Sequence, residues 1–599
     1  MLNGKTAVAT VAIIALLLGT GFGDELEDNW GRFLHFTTIA RFDLAKGYAQ
    51  AVLDSNPDPV ALLGLVRANP EGYQIMLKVN ESAPDAELAA LAGKIIELVN
   101  QGRFTRRSDD AIVAAEVRRL NSGTARGWLT AVQRLQDAGE YAIPWMLDAL
   151  ADESRESEWT NIIRALPKIG KDAIRPYAAA LQTDKAEIKG EIIKAMGEIG
   201  YPQSLPYLKY IVEKDESAEM RALAGASIDK INPVAAKIPA ARLFYTLGEQ
   251  YYYHAESLTP QEDADTANVW FWNADGGSLV SQKVDRSYFY ELMAMRCCEW
   301  ALRADPTLGN AIALWVASFF KAESAGVEMP QYFGTTHADA LVYATTAGVE
   351  YLHEALARAI KDQNAYVALG VVEALATTAG ERSLWYTVGP VQPLAQALSF
   401  KSRAVRYSAA IAIASAGPKE PFAEHKLVVG NLAEAIAQPA QDAGADESGL
   451  WNAEVGNAYA LRAVKVMFKL AEERNAVLDL SLAQDALMGA TNGSNAQMQM
   501  LAGQTLAYLD SPNAQRAIAA MALNPVVSLE VRISGFESLA NSAKVNGNML
   551  VDQLIDAIYA LISSEEQDAD LRGAAAAAYG ALNLPSMKVK DLILDQSKS

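Results

Sequence analysis

Apolar side chains recur at helical spacing along most of the chain, and between residues 124 and 232 this pattern itself repeats. Each unit has an apolar stripe, a glycine, and then a proline that opens a second stripe. Glycine just past a helix adopts the left-handed backbone that closes it, and proline is tolerated in a first helical turn. The sequence therefore predicts helix pairs repeating every ~31 residues, with glycines at Gly139, Gly170 and Gly200 and prolines at Pro144, Pro176 and Pro206.

A second repeat lies further along the chain. The run Ala-Thr-Thr-Ala-Gly at residues 344–348 recurs at residues 376–380. It predicts two helix ends closed by glycine, with the threonines capping or packing within the last turn. Because a two-helix unit cannot bury its own stripe, neighbouring units must stack. The predicted fold class is all-α, an α-solenoid of helix pairs with one small β-hairpin.

A hydrophobic–basic pair followed three residues later by a small or apolar residue also recurs. In this respect the chain resembles HEAT-repeat proteins, whose basic residue commonly bonds into the neighbouring repeat. The resemblance implies a structural ladder, and its members here are Lys189, Arg221, Arg406, Arg532 and Arg572.

Other segments resemble TPR units. Phe244, Leu247, Gly248 and Tyr251 match a first TPR helix, and residues 294–311 match the second helix and the proline that opens the next unit. Residues 45–57 also resemble a second TPR helix. The two halves at 244 and 294 lie too far apart for one standard unit, so an insertion must separate them.

The insertion, residues 256–286, contains two β-prone runs around Asp275-Gly276-Gly277, which predicts a hairpin. On a strand, Trp270 and Trp272 share one face and Phe271 takes the other. Paired exposed indoles can stack on sugar rings or hold a partner's apolar side chain. The alternative is that they cover a neighbouring helix pair as local core.

These patterns divide the chain into successive regions. The predicted ranges are a signal peptide at 1–23, a helical region with a TPR-like unit at 24–122, HEAT-like repeats at 123–236, the interrupted TPR-like pair at 237–322, HEAT-like repeats at 323–440, and C-terminal HEAT-like repeats at 441–599.

The first residues have the pattern of an export signal. Lys5 precedes an apolar run from Thr6 to Leu18, and small residues follow up to Gly23. The run suits a signal peptide and is short for a bilayer span. We expect cleavage after Gly23 and a periplasmic or extracellular protein. The alternative is a membrane anchor formed by residues 6–22, in which case the protein would be attached to a membrane.

Charge narrows the class of partner. The chain has 52 basic and 72 acidic residues and a formal charge of −20, so it repels phosphate backbones and a nucleic-acid partner is not expected. Its densest basic run is interpreted as a solvated helix face. That run consists of Arg103, Arg106, Arg107, Arg118 and Arg119.

Candidate chemistry is sparse. Cys297 and Cys298 are adjacent, so they cannot staple distant segments. We expect two thiols on a helix, at least one of them buried, rather than a redox or metal pair. The best histidine cluster, His337 and Asp339 with His353 and Glu354, lacks the spacing of a zinc site. No cofactor, metal or catalytic group is predicted, and we expect a protein that is not an enzyme.

Three functions follow, in order of preference. The first is a non-catalytic scaffold that presents its helical repeats to a protein partner outside the cytoplasm. The second is binding of a carbohydrate or other polymer through Trp270 and Trp272. The third, implied only by the HEAT resemblance, is a lyase-like or enzyme-accessory role, since some HEAT-like proteins attach bilin chromophores.

Overall fold

The computed structural model describes residues 25–82, 85–260, 265–326, 338–437 and 449–586, with Lys590 and Leu594. Within these ranges the chain is almost entirely helical, and its strands form one two-stranded sheet. The predicted fold class, an α-solenoid of helix pairs with one small hairpin, is confirmed. The signal-peptide and anchor predictions, residues 1–23 and 6–22, lie outside the described residues.

Two compact units divide the chain between Met293 and Ala294. This boundary lies inside residues 237–322, which the sequence groups as one interrupted TPR-like pair. In the part of the chain that the structure describes, no helix is long and apolar enough to cross a membrane.

The first unit contains fourteen described helices, the hairpin and the start of a fifteenth helix. They are α1 (residues 25–38), α2 (Phe42–Asp54), α3 (Pro59–Ala68), α4 (Pro70–Ser82), α5 (Ala86–Ser108), α6 (Asp110–Arg119), α7 (Ala125–Ala138), α8 (Ala142–Ala151), α9 (Glu156–Ala165), α10 (Ile174–Ala180), α11 (Ala186–Ile199), α12 (Leu205–Lys214), α13 (Ala218–Ile231), α14 (Ala240–Tyr252), β1 (Thr266–Asn273), β2 (Ser278–Asp285) and α15 (Arg286–Ala304).

The second unit begins within α15 and continues through further helix pairs. Its helices are α16 (Gly309–Glu323), α17 (Ala340–Ala347), α18 (Val349–Lys361), α19 (Ala365–Thr378), α20 (Pro393–Ala397), α21 (Arg403–Ser415), α22 (His425–Ala437), α23 (Ala453–Glu472), α24 (Gln484–Thr491), α25 (Ala496–Leu506), α26 (Pro512–Leu523), α27 (Leu529–Asn546), α28 (Asp552–Ser563) and α29 (Ala569–Ala581).

The predicted glycine and proline positions at the helix boundaries of the first repeats are confirmed. Gly139, Gly170 and Gly200 have φ of 59°, 85° and 72°, a backbone that favours glycine. Only Gly200, with ψ of 19°, has the full left-handed helical conformation, since ψ is −124° at Gly139 and −156° at Gly170. The predicted prolines all lie in the first turns of α8, α10 and α12.

The second repeat also marks two helix ends. α17 closes at Gly348, whose φ is 106°, whereas α19 closes at Ala379, one residue before Gly380. The glycine cap is therefore confirmed at the first copy and wrong at the second. The hydroxyls of Thr345 and Thr378 donate to backbone carbonyls of their own last turns, at 2.7 and 2.9 Å, as predicted.

The apolar cores of the first unit include two that lie beneath the repeats and the hairpin. One lies within α1 to α5 and includes Phe33 and Leu62. The other runs from α6 to α13 and takes in Trp270 and Leu279 of the hairpin. In the second unit, successive helices pack in order, for example α18 on α19, α19 on α21 and α27 on α29. Cys297 and Cys298 are fully buried, as predicted.

Candidate functional site

The insertion forms the predicted hairpin. β1 and β2 pair antiparallel, with Trp270 opposite Ser281 and Trp272 opposite Leu279. β1 packs on α10, and β2 packs on α8 and α10. Six of the seven residues of α10 are consequently buried.

The two indoles cover these helices rather than projecting into solvent. Trp270 is 5% exposed and belongs to the core of the repeats, and the half-buried Trp272 packs against the same core. Of the two interpretations of the indoles, burial as local core is confirmed for Trp270, because its apolar ring packs against helices and its N–H donates to Glu140 there. The interpretation of an exposed indole pair is wrong for this residue. Phe271, on the other face, is half-buried.

A buried carboxylate fastens the hairpin to the repeats, and Glu140 provides it. Its Oε2 accepts hydrogen bonds from Arg175 Nη2 at 2.8 Å and from Trp270 Nε1 at 2.9 Å. Its Oε1 accepts one from Asn268 Nδ2 at 2.8 Å. The Arg175 guanidinium also lies over the ring of Phe289, 5.1 Å from its centre. We call Glu140, Arg175, Asn268 and Trp270 the hairpin network.

The electrostatics of this network favour the charged form of Glu140. Burial alone would raise its pKa, but the Arg175 charge and the Trp270 and Asn268 hydrogen bonds outweigh burial and hold the pKa below its ordinary value. The side chains of Glu140 and Arg175 are only 6% and 11% exposed. A buried, hydrogen-bonded ion pair of this kind fixes one geometry, here that of the hairpin on the helices.

The basic residues of the HEAT-like pattern bond to different kinds of partner. Lys189 Nζ lies 3.0 Å from Asp215 Oδ2, in the loop between α12 and α13. Arg221 donates to the backbone carbonyls of Asp215 and Glu216, at 2.8 and 2.9 Å. Asp215 thus joins two basic residues of successive repeats. Burial opposes its charge, but the Ser217 backbone N–H and Lys189 keep its pKa lowered.

In the second unit the same pattern is less regular. Arg406 Nη2 reaches Glu434 of α22 at 2.9 Å, and Arg532 Nε donates to the carbonyl of Ala522 at 3.2 Å. Arg572 Nε is buried without a hydrogen-bond partner among the described residues. A continuous ladder through all repeats stays a prediction.

Arginines of the basic run line a cavity at the ends of α3, α5 and α7. The prediction of a solvated helix face is wrong for Arg103, Arg106 and Arg107, whereas Arg118 is exposed. Sequence spacing missed the site because other members lie far away in the chain. This arginine cavity has a volume of about 280 Å³, and the described residues that line it are Arg67, Arg103, Arg106, Arg107, Ile112, Val113, Glu116, Arg134, Leu135, Gln136, Asp137 and Ala138.

The histidines do not gather into a metal site. Among the residues that the structure describes, no three His, Cys, Asp or Glu side chains form a group that could hold a metal ion. His337 of the predicted cluster lies outside those residues. His353 is buried, and its Nε2 lies 2.9 Å from the carbonyl oxygen of Ser383. Burial lowers its pKa, which favours the neutral ring.

A second polar network joins α19, α21 and α23 in the second unit. Glu373 accepts two hydrogen bonds from Arg462, at 3.0 and 2.9 Å, and one from Ser408 Oγ at 2.5 Å. Arg462 also lies over the ring of Tyr459, 5.1 Å from its centre. These contacts connect three helices that are distant in sequence.

Replacing Glu373 by alanine is expected to lower the free energy of unfolding by about 1–2 kcal/mol, because the half-buried Arg462 loses its carboxylate partner and the buried Ser408 keeps only the Tyr459 hydroxyl. The midpoint of urea unfolding measures this. Glu472→Ala, an exposed change on α23, is the control and should shift the free energy by less than about 0.5 kcal/mol. Equal effects of the two variants would contradict the prediction.

Comparison with known proteins identifies one segment. Residues 143–229 match the family model described as HEAT repeats. This match runs from α8 into α13 and confirms the HEAT resemblance there. No curated protein matches the chain.

Solved structures show only a distant likeness. A crystal structure of importin beta is 11% identical, covering 93% of this chain and 71% of that one, with a TM-score of 0.28. She4p is 10% identical, covering 94% and 85%, with a TM-score of 0.31. Human deoxyhypusine hydroxylase is 16% identical, covering 64% and 96%, with a TM-score of 0.19. At these identities and TM-scores the similarities carry no information about function.

Proposed function

We propose that this chain is a non-catalytic binding protein that presents its HEAT repeats to a protein partner outside the cytoplasm. The observation that carries the proposal is the HEAT match of residues 143–229. Stacked repeats of this type create extended surfaces that suit protein partners. The location rests on the export-signal pattern of residues 1–23.

The hairpin favours one side of these repeats as the docking surface. It packs on α8 and α10, the second helices of their pairs, and we take the first helices α9, α11 and α13 as the docking side. Exposed acidic residues on these helices include Glu187 and Glu198 of α11 and Glu219 and Asp229 of α13, and they outnumber the exposed lysines of α11 and α13, Lys194 and Lys230. A partner with a basic surface would complement them.

A charge reversal on this side tests the proposal. The double variant Glu187→Lys, Glu198→Lys is expected to lose a partner that the wild-type chain retains from cell-envelope extract, because like charges would then face each other. The control, Glu565→Lys with Glu566→Lys, makes the same charge change at exposed positions outside the matched segment. Circular dichroism should show both variants folded.

Two results would overturn the proposal. One is that wild-type protein retains no partner under cross-linking. The other is that the α11 variant retains the same partner as strongly as the control does. The burial of Trp270 removes one of the two indoles that polymer binding requires, so the structure gives that alternative no support.

A further inference from the structure

The arginine cavity concentrates positive charge in a chain whose net charge is −20. Among the described lining residues, five arginines face the two carboxylates of Glu116 and Asp137, which leaves a formal charge of +3. The arginines come from α3, α5 and α7, so the fold gathers them from separate parts of the sequence. A cavity built this way differs from a charged run along one solvated helix.

Both carboxylates of the cavity are already engaged. Glu116, whose side chain is 8% exposed, accepts from Arg134 Nη1 at 2.6 Å and from Arg119 Nη1 at 3.1 Å. Asp137 Oδ2 lies 3.2 Å from Arg67 Nη2. The two acidic residues are therefore bonded to Arg67, Arg119 and Arg134, which belong to helices other than α5.

Arg106 of α5 is bonded to neither carboxylate of the cavity. It makes no hydrogen bond or ion pair to any residue that the structure describes, whereas Arg103 bonds Asn100 Oδ1 at 3.4 Å and lies over the ring of Tyr73. Desolvation and the charges of Arg67 and Arg134 lower the pKa of Arg106, and they outweigh the nearby carboxylates of Glu116 and Asp137, which raise it.

Helix-end electrostatics explains only part of this arrangement. Arg67, Arg106 and Arg107 lie in the last turns of α3 and α5, where backbone carbonyls attract cations. That attraction accounts for basic residues at each helix end separately. It does not require the guanidiniums of different helices to converge on one cavity, where they repel each other.

We propose that the arginine cavity binds a small phosphorylated molecule through its phosphate group. Guanidiniums form paired hydrogen bonds with phosphate oxygens, and a bound dianion offsets most of the excess positive charge. The volume of about 280 Å³ is at the small end for ligand sites and suits a compact group. Binding of the phosphorylated molecule to the cavity does not depend on whether the HEAT repeats bind a protein partner.

Titration calorimetry of the full chain with pyrophosphate, at constant ionic strength, tests the site. Wild-type protein and the control Arg118→Gln, which removes a neighbouring exposed charge on α6, should bind with equal affinity. Arg106→Gln should bind at least about tenfold more weakly, because a charge-assisted contact is lost. Without anion, this variant should melt no lower than wild type, since the change removes charge repulsion.

Thermal melts with pyrophosphate and with citrate supply the second readout. Pyrophosphate should raise the melting temperature of wild type and Arg118→Gln but not of Arg106→Gln, because only a ligand of the folded state stabilises it. Absence of wild-type binding, equal binding by Arg106→Gln, or an equal loss in Arg118→Gln would each overturn the proposal. Citrate binding as tight as pyrophosphate binding would overturn the phosphate assignment.

Discussion

Replacing Glu140 by alanine is expected to destabilise the first unit by about 3–5 kcal/mol, the largest effect we foresee for one polar side chain. The change leaves the buried guanidinium of Arg175 without its counter-charge. It also leaves the donors of Trp270 and Asn268 without an acceptor. Urea unfolding followed by circular dichroism measures the loss, and tryptophan fluorescence reports on the hairpin.

Two further variants make this expectation specific. Glu153→Ala, an exposed change in the same repeat, should alter stability by less than about 0.5 kcal/mol. Glu140→Gln keeps a carbonyl acceptor but loses the charge, so its stability should fall between those of wild type and Glu140→Ala. A loss of under about 1 kcal/mol in Glu140→Ala would show that the hairpin is held mainly by its apolar contacts.

The same carboxylate should make stability depend on pH. Its pKa in the folded chain lies below the ordinary value of 4.5, so its contribution is complete above that pH and is lost as the pH falls through the folded pKa. Unfolding free energies measured from neutral pH downwards should decline more steeply for wild type than for Glu140→Gln. Parallel curves for the two proteins would contradict this assignment.

Gly102→Ala is expected to destabilise the first unit by about 1–3 kcal/mol, although the same change inside a helix normally stabilises. An added Cβ would overlap the carbonyl oxygen of Pro59 and lie 2.6 Å from its carbonyl carbon and 3.2 Å from Leu63 Cβ. α5 would have to move away from α3. Since Arg67 ends α3 and Arg106 ends α5, pyrophosphate binding should weaken as well.

Gly225→Ala in α13 provides the matched control. No atom lies within 4 Å of its added Cβ, so this variant should be more stable than wild type by about 0.5–1 kcal/mol. Thermal melts of the two variants should therefore shift in opposite directions. Shifts of the same sign would mean that the close contact between α3 and α5 at Gly102 does not determine the stability of the Gly102→Ala variant.

The sequence predicted helix ends and turns better than contacts between residues that are distant along the chain. Glycines and prolines favour particular backbone conformations at their own positions, so the helix pairs of residues 124–232 and the hairpin turn could be predicted. The sequence could not decide between the exposed and the buried interpretation of Trp270, because its partner Glu140 lies 130 residues earlier. An indole on a β-strand looks the same in sequence whether solvent or a helix covers it.

The arginine cavity shows the same limit. Arg103, Arg106 and Arg107 form a basic run broken by acidic neighbours, which in one helix indicates a solvated face. Arg67 and Arg134 complete the cavity from α3 and α7, and only the packing of these helices reveals it. The charge of a site assembled from several helices cannot be inferred from any one of them.

The fastening of the hairpin has a consequence for biosynthesis. The ribosome synthesises the HEAT segment well before the hairpin. Glu140 bonds to Asn268 and Trp270, which follow it by 128 and 130 positions in the chain. During that interval the apolar side of α10 is exposed to solvent, because the hairpin that buries it has not yet been made. Contacts across so many residues also form slowly compared with contacts between adjacent helices. The nascent chain therefore passes through a stage in which it needs protection from aggregation, and that stage ends when β1 docks.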